Sequence, residues 1–212
     1  MPPVTEPKPR GRPKDMEKCA AILRAARQLF FAHGLDGVKV DQIALVAGVS
    51  KMTVYANFSD KAAIFEAVVA QESERIDAAF AQFKNGPETI DVILTQVGMT
   101  LMTFLMSADV MRLDQMLSSE MTNHHDLGSR FYETGPMRMW QELADTISAA
   151  ELRGVIAVND AHQAAEDLIA LWLGMVPLQY RFGSLPIVTK EQISARVKHG
   201  VAVFLKAYRS AA

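Results

Sequence analysis

Side chains that can bind anions and base edges lie together between residues 50 and 61. The segment contains Ser50, Lys51, Thr53, Tyr55 and Lys61, which supply hydroxyl and ammonium donors. A lysine can donate to guanine O6 and N7 or to a phosphate, and a threonine methyl can contact a thymine methyl. This combination of residue types indicates recognition of a nucleic acid.

The residues around these donors predict the elements that position them. Residues 40–58 read as two short helices joined by a tight turn, with Ala44 where the helices cross and Gly48 where the backbone needs a positive φ. Ser50 is placed to cap the second helix, and Val54 provides its apolar anchor. This arrangement is a helix-turn-helix. A generic pair of antiparallel helices is the alternative.

Charge is distributed unevenly along the chain. Residues 1–61 contain ten Lys and Arg against six Asp and Glu, a net charge of +4, whereas residues 62–212 contain twelve against eighteen, a net charge of −6. A basic amino end on an acidic body suits an anionic polymer as the partner. A merely solubilising tail is the competing interpretation.

The amino-terminal tail contains a second nucleic-acid signal. In residues 9–13 (PRGRP), Arg10 and Arg12 flank a glycine, and prolines at both ends favour extended backbone, as in an AT-hook. We expect residues 1–14 to form a flexible basic arm that orders in an A·T-rich minor groove. Non-specific attraction of DNA is the alternative.

Composition argues against secreted, membrane and metal-dependent classes. The single cysteine, Cys19, excludes an internal disulfide framework and suits a reducing cytoplasm. The first thirty residues contain prolines and bases but no apolar h-region next to a cleavage site, so we do not expect a secretory signal. The longest uncharged run, between Asp91 and Asp109, is short for a membrane span. Residues 124–126 (HHD) lack metal-site spacing, and Cys19 has no recognisable catalytic partner. We therefore expect a cytoplasmic protein that is not an enzyme, binds no metal or cofactor and does not contact a membrane.

Apolar residues recur at helical spacing through most of the chain, which predicts an all-α fold. Helix-breaking residues divide the predicted helical sequence at residues 33–34, 85–87, 134–136 and 183–186. Thr189 and Gln192 form a capping box that starts the last helix.

The motif and its flanks together resemble the tetracycline-repressor (TetR) family. The resemblance is carried by residues 21–30 (AILRAARQLF), Gly34, Ile43, Ala44, residues 47–51 (AGVSK), Thr53, Tyr55, Phe58, Lys61 and Phe65. It covers about residues 10–70. It implies a three-helix DNA-binding domain with a helix-turn-helix over residues 15–61, followed by a helical ligand-binding and dimerisation domain over 62–212.

The resemblance also implies which residues meet a double-stranded operator. In the family the tyrosine matching Tyr55 directs its hydroxyl at a phosphate, and Lys61 begins the next helix, where phosphates are attracted. A core aromatic and a solvated charge are the respective alternatives. Lys39 and Met52 depart from the usual residues at their positions. The predicted DNA-binding set is Arg10, Arg12, Lys39, Ser50, Lys51, Met52, Thr53, Tyr55, Asn57 and Lys61.

One such motif reads only a few base pairs, so useful affinity needs two copies about 34 Å apart or a multiple of that distance. A homodimer is therefore expected, and the resemblance implies a four-helix bundle formed by residues 161–180 and 189–208 of both subunits. The predicted interface residues are Ala164, Leu168, Trp172, Met175, Val197, Val201 and Phe204. An internal core position is the alternative for Trp172.

Eight methionines lie between Met99 and Met139, with aromatic residues beside them. Methionine is flexible and polarisable, so such a cluster suits an apolar or aromatic small-molecule effector. The predicted ligand-binding residues are Met99, Met102, Thr103, Phe104, Met106, Phe131 and Trp140, with Thr103, Gln115 or Asn123 as polar anchors. Ordinary core packing is the alternative for each residue.

These predictions combine into a sequence-specific transcriptional regulator, expected to be a repressor released from its operator by the effector. Two alternatives are kept. One is a structural DNA-binding protein whose body only dimerises, and the other is an enzyme or carrier that retains the scaffold.

Overall fold

The computed structural model describes residues 12–84, 88–121, 125–184 and 188–208. The predicted all-α fold is confirmed, since the described residues contain helices and no strand. The helices are α1 (Arg12–His33), α2 (Val40–Ala47), α3 (Lys51–Asn57), α4 (Lys61–Lys84), α5 (Ile90–Leu105), α6 (Ala108–Glu120), α7 (His125–Thr134), α8 (Pro136–Leu152), α9 (Ala161–Leu173), α10 (Val176–Arg181) and α11 (Lys190–Tyr208).

The chain divides into two compact units, Met1–Val68 and Val69–Ala212. The first unit contains α1 to α3 and the first two turns of α4. Its core includes Ile22, Phe30, Val54 and Phe65, all fully buried, and the rings of Phe30 and Phe65 meet edge to face at 5.5 Å. Because Phe65 completes this core, the unit extends beyond Lys61, where the sequence placed the end of the DNA-binding domain.

Trp172 of α9 occupies the centre of the second unit, whose core also draws on α5 and α11. The indole is fully buried, and two glycines make room for it. A Cβ added at Gly98 of α5 would lie 2.8 Å from Trp172 Cζ2, and one added at Gly200 of α11 would lie 2.6 Å from Trp172 Cδ1. Close packing of three helices around one large ring therefore depends on residues without side chains.

The side chains predicted for a dimer interface on α9 and α11 lie mostly inside the single chain. Six of the seven side chains predicted there are buried inside the single chain: Ala164, Leu168, Trp172, Val197, Val201 and Phe204. These six side chains therefore pack in the core of the second unit. Met175 is 60% exposed, but it lies beyond the end of α9.

The expected helix over residues 161–180 is broken in the structure. Gly174 ends α9 with φ 49° and ψ −131°, and Pro177 lies in the first turn of α10. The guanidinium of Arg196 also approaches this glycine, because an added Cβ would lie 2.6 Å from its Nη1. The backbone conformation therefore favours glycine here, whereas the flexible end of Arg196 could move away from an added Cβ.

Other predicted helix boundaries agree with the structure. Helix α1 ends at His33, and α7 and α8 meet at Gly135. The predicted capping box is confirmed, since Thr189 N–H donates to Gln192 Oε1 at 2.9 Å and Gln192 N–H donates to Thr189 Oγ1 at 3.3 Å. These boundaries depend on residues close in sequence, which is why the sequence located them.

Within the part of the chain that the structure describes, no single helix is long and apolar enough to cross a membrane. The segments Ile90–Leu105 and Ala108–Ser118 satisfy the length and composition criteria only as a pair, bent by 62° at their junction.

Candidate nucleic-acid interface

The turn between α2 and α3 has the geometry that the sequence predicts. Gly48 adopts φ 67° and ψ 31°, in the left-handed region, and Val49 N–H donates to Ala44 O at 3.0 Å. Ile43 and Ala44 are buried on the inner side of α2, and Val54 is fully buried one turn into α3. The two helices and their turn therefore form a helix-turn-helix.

The outer face of α3 is open to solvent. Met52 is 79% exposed and Tyr55 is 47% exposed, and Lys51, Ala56 and Asn57 are also exposed. Because Val54 anchors the opposite side, these side chains project from the domain together. An exposed face of this composition can enter a major groove and contact both bases and phosphates.

Lys51 is paired with a residue that the sequence did not single out. Its Nζ lies 2.6 Å from Asp41 Oδ1 of α2, and both side chains are more than half exposed. The hydrogen bond from Lys51 to Asp41, reinforced by the carboxylate charge, raises the pKa of Lys51 above its usual value. The only sequence signal for this contact is an acid in the first turn of α2.

Ser50 and Thr53 stabilise the start of α3. Ser50 Oγ accepts a hydrogen bond from Thr53 N–H at 3.1 Å and lies 2.9 Å from Thr53 Oγ1. Asn57, at the other end, donates from Nδ2 to Thr53 O at 2.8 Å. The hydroxyls of Ser50 and Thr53 are therefore already engaged in hydrogen bonds that stabilise the start of α3 in the unbound protein.

Replacing Ser50 by alanine is expected to lower the free energy of unfolding by about 1 kcal/mol, since the cap to Thr53 N–H is lost. Ser59→Ala is the matched control, because Ser59 is exposed just beyond α3 and forms no such cap. Urea denaturation of both variants measures the difference. Equal stability of the two variants would show that the cap contributes nothing.

Lys61 and Asp60 are both engaged within the first unit. Lys61 Nζ donates to Leu35 O at 2.7 Å, which ties the start of α4 to the loop before α2. Asp60 Oδ1 accepts from Ala63 N–H at 2.8 Å and caps α4. A phosphate contact by Lys61 would therefore have to share or replace a contact inside the domain.

Lys39 precedes α2 and is exposed. Its backbone N–H donates to Gln42 Oε1 at 2.7 Å. A lysine ammonium has no acceptor atom, so the Lys39 side chain cannot accept a hydrogen bond from a backbone N–H in the first turn of α2, as serine or threonine would. The Lys39 side chain consequently remains at the surface.

The predicted arm lies mostly outside the described residues, and so does Arg10. Arg12 is the first residue of α1, so the helix begins inside the segment that the sequence interpreted as extended. The following Pro13 falls in the first turn, where a missing backbone N–H breaks no helical hydrogen bond.

The predicted ligand-binding residues are spread over the second unit. Met102 is fully buried, Thr103 is exposed, and Trp140 donates from Nε1 to His162 O at 3.0 Å. Met99 borders a shallow depression beside α11, Phe104 packs against the core, and Phe131 is half-buried on α7. Met106 lines a partly open cavity with Gln115, and Asn123 lies outside the described residues. The structure therefore does not gather the seven residues into one site.

Among the described residues, no group of three or more His, Cys, Asp and Glu side chains is arranged to hold a metal ion. Cys19 is half-buried in α1.

Two family models match the chain. Residues 22–68 match the bacterial regulatory proteins of the tetR family, and residues 92–210 match the C-terminal domain of AefR-like transcriptional repressors. The second match alone covers more than half of the chain. The protein belongs to the TetR family of transcriptional regulators. The resemblance read from residues 21–65 is thereby confirmed.

Two sequence relatives match this TetR-family chain over part of its length. It is 51% identical over 55 residues to the uncharacterized HTH-type transcriptional regulator YdeS of Bacillus subtilis, covering 26% of this chain and 28% of YdeS. It is 34% identical over 71 residues to the HTH-type transcriptional repressor ComR of Escherichia coli, covering 34% of this chain and 33% of ComR. The alignments thus span about a third or less of these two relatives.

Solved structures resemble the chain over nearly its whole length. A TetR-family transcriptional regulator from Mesorhizobium loti superposes with a TM-score of 0.82 at 26% identity, covering 93% of this chain and 99% of that one. The flavonoid-responsive regulator FrrA superposes with a TM-score of 0.72 at 27% identity, covering 93% and 100%. The similarity therefore extends through the helical body as well as the helix-turn-helix.

Proposed function

We propose that this protein is a homodimeric, cytoplasmic repressor that binds its operator through α3 and is released by an apolar or aromatic small molecule. The exposed face of α3 carries the proposal, because Met52 is 79% exposed while Val54 beneath it is fully buried. Similarity to AefR-like repressors and to ComR favours repression over activation.

The groups on and beside α3 have distinct roles in the proposed complex. Lys51 donates to a guanine edge or a phosphate, and the Tyr55 hydroxyl donates to a phosphate. Met52 contributes apolar surface that can contact thymine methyl groups. Phosphate contacts fix the orientation of α3, and base contacts select the operator sequence.

The proposed dimer uses the outward faces of α9 and α11 in place of the buried residues that the sequence selected. His162, Glu166 and Ala170 are exposed on α9, and Ala195 and His199 are exposed on α11. Small alanines on both helices permit close helix approach, as a four-helix bundle between subunits requires.

The proposed effector response requires a ligand that binds two conformations of the dimer unequally. A partly open cavity beside α6 and α10 offers a site within the second unit, and the structurally similar FrrA is a flavonoid-responsive regulator. Helix α4 begins in the first unit and continues into the second, so it connects the DNA-binding unit to the unit that contains the cavity. A typical coupling of about 1–3 kcal/mol changes operator affinity roughly 5- to 150-fold.

In vitro selection from random duplexes with the purified full chain tests operator recognition. We expect an enriched sequence with two-fold symmetry, since an isologous dimer presents two equivalent α3 helices. Light scattering should give twice the chain mass of 23.4 kDa. A protein that remains monomeric and enriches no sequence would contradict the proposal.

The position of the dimer interface is tested separately with Ala170→Glu, which places a charge on the outward face of α9. We expect this variant to dissociate into monomers and lose operator binding, while Ala149→Glu, at an exposed position on α8, remains dimeric. Unchanged dimerisation of Ala170→Glu would remove α9 from the interface.

A further inference from the structure

A cavity of about 320 Å³ lies between α6 and α10, inside the second unit. The end of α5 closes one side, and the end of α9 borders another. This volume corresponds to about ten water molecules and falls at the lower end of the range for small-molecule sites.

The floor of the cavity is apolar and buried. Met106 is 4% exposed, Met111 is 8% exposed and Val176 is 2% exposed. Thioether sulfurs make favourable contacts with aromatic rings and adapt to rings of different shape. The floor therefore suits a flat aromatic body that is buried on one side.

The polar groups of the cavity lie at its rim. Asp114 and Gln115 come from α6, and Tyr180 and Arg181 come from α10. Arg181 Nη2 lies 4.0 Å from Asp114 Oδ2, and the two side chains are 52% and 64% exposed. This separation exceeds hydrogen-bond length, and exposed pairs of this kind are weak. The Arg181 guanidinium is consequently available to another anion.

We propose that this cavity binds a small aromatic molecule that carries an anionic group, and that Arg181 binds this group. The inference rests on the proposed effector response and gives it a location and a ligand class. The ring system lies on Met106 and Met111, and a carboxylate or phenolate accepts two hydrogen bonds from the guanidinium. Asp114 competes for the same guanidinium and so selects ligands that bind it more strongly.

The donors at the rim favour an anion over a cation. Arg181, Tyr180 and Gln115 all carry N–H or O–H groups that an anionic ligand can use, whereas Asp114 is the one carboxylate among the lining residues. A planar guanidinium can form two parallel hydrogen bonds with a carboxylate. A single carboxylate such as that of Asp114 has no comparable geometric match with an ammonium ion.

Isothermal titration of the full-length protein with naphthoate, naphthylmethanol and naphthylmethylammonium tests the ligand class. The three probes share one ring system and differ in charge. We expect naphthoate to bind with the highest affinity. Arg181→Met should weaken its binding about tenfold, since a charge-assisted hydrogen bond is lost. Asp114→Asn should strengthen binding roughly twofold to fivefold, because the competing carboxylate is removed.

Two further variants keep the test independent of folding. Arg153→Met, at an exposed position at the end of α8, is the matched control and should bind naphthoate like the unaltered protein. Val110→Phe fills the cavity from α6 and should abolish binding while the melting temperature shows that the chain remains folded. Preference for the ammonium probe, unchanged affinity in Arg181→Met, or no binding of naphthoate would each overturn the inference.

Operator binding in the presence of naphthoate separates this inference from the proposed function. If naphthoate binds as expected but leaves operator affinity unchanged, the site stands and naphthoate-driven release fails. If operator release by another compound persists in Val110→Phe, the effector response stands and this cavity is not its site.

Discussion

Replacing Gly200 by alanine is expected to lower the free energy of unfolding by about 1–3 kcal/mol, the usual cost of overpacking a core. Glycine-to-alanine substitution inside a helix ordinarily stabilises it by about 0.5–1 kcal/mol. Here the added methyl group would lie 2.6 Å from Trp172 Cδ1 and 3.0 Å from its Nε1, so the packing penalty reverses the sign. Urea denaturation of the full chain at fixed protein concentration measures the change.

Gly128→Ala on α7 is the matched control for this prediction. An added Cβ there would meet Met121 at 3.5 Å, an ordinary van der Waals distance, so the helix propensity of alanine should raise stability. The two substitutions are chemically identical and are expected to have opposite effects. Stabilisation by both would contradict the packing around Trp172.

A double-mutant cycle with Trp172→Phe identifies the contact that causes the loss. Trp172 Nε1 has no hydrogen-bond partner among the described residues, so phenylalanine forfeits packing but no hydrogen bond. The smaller ring should leave space beside residue 200, and Gly200→Ala should then cost less than in the unaltered protein. Strictly additive effects would place the clash elsewhere.

The helix-turn-helix could be predicted because its determinants are close together in sequence. Gly48 supplies the left-handed turn, Ser50 caps α3 and Val54 anchors it, all within seven residues. Each contribution follows from the conformational preferences of one residue and its immediate neighbours. Sequence reasoning is at its strongest for such local motifs.

The inner and outer faces of α9 and α11 could not be assigned in the same way. Both helices carry apolar residues on adjoining faces, so periodicity alone does not say which face meets the core. The deciding contact is the indole of Trp172 between Gly98 and Gly200, which are far apart in the chain. That contact exists only after α5, α9 and α11 have packed together.

Of the polar rim of the α6–α10 cavity, the sequence predicts Gln115 but not Asp114, Tyr180 or Arg181, for a related reason. The cluster of methionines predicts a ligand site within residues 99–140, but these residues lie on several helices and face different neighbours. Arg181 and Asp114 approach each other only because α9 ends at Gly174 and α10 then packs beside α6. The cavity therefore depends on the break between α9 and α10, whereas hydrophobic periodicity predicts one continuous helix over residues 161–180.

Replacing Lys51 by alanine is expected to weaken operator binding roughly tenfold to a hundredfold, because the proposed dimer would lose the contact twice. If Lys51 contacts a phosphate, the slope of log affinity against log salt should fall by about one for each subunit. Fluorescence anisotropy with the selected operator at several salt concentrations measures both quantities. Lys198→Ala, at an exposed position of α11, should leave both unchanged.

Asp41→Asn is expected to have the opposite effect on binding strength. In the unbound protein Lys51 Nζ lies 2.6 Å from Asp41 Oδ1, so DNA must compete with this carboxylate for the ammonium group. The carboxylate also repels nearby phosphates, and this repulsion penalises non-specific duplexes that offer no compensating base contact. Removing its charge should therefore increase affinity for non-specific DNA more than affinity for the operator. If Asp41→Asn weakened operator binding without affecting non-specific binding, Asp41 would instead position Lys51 for a base contact, and competition would be the wrong interpretation.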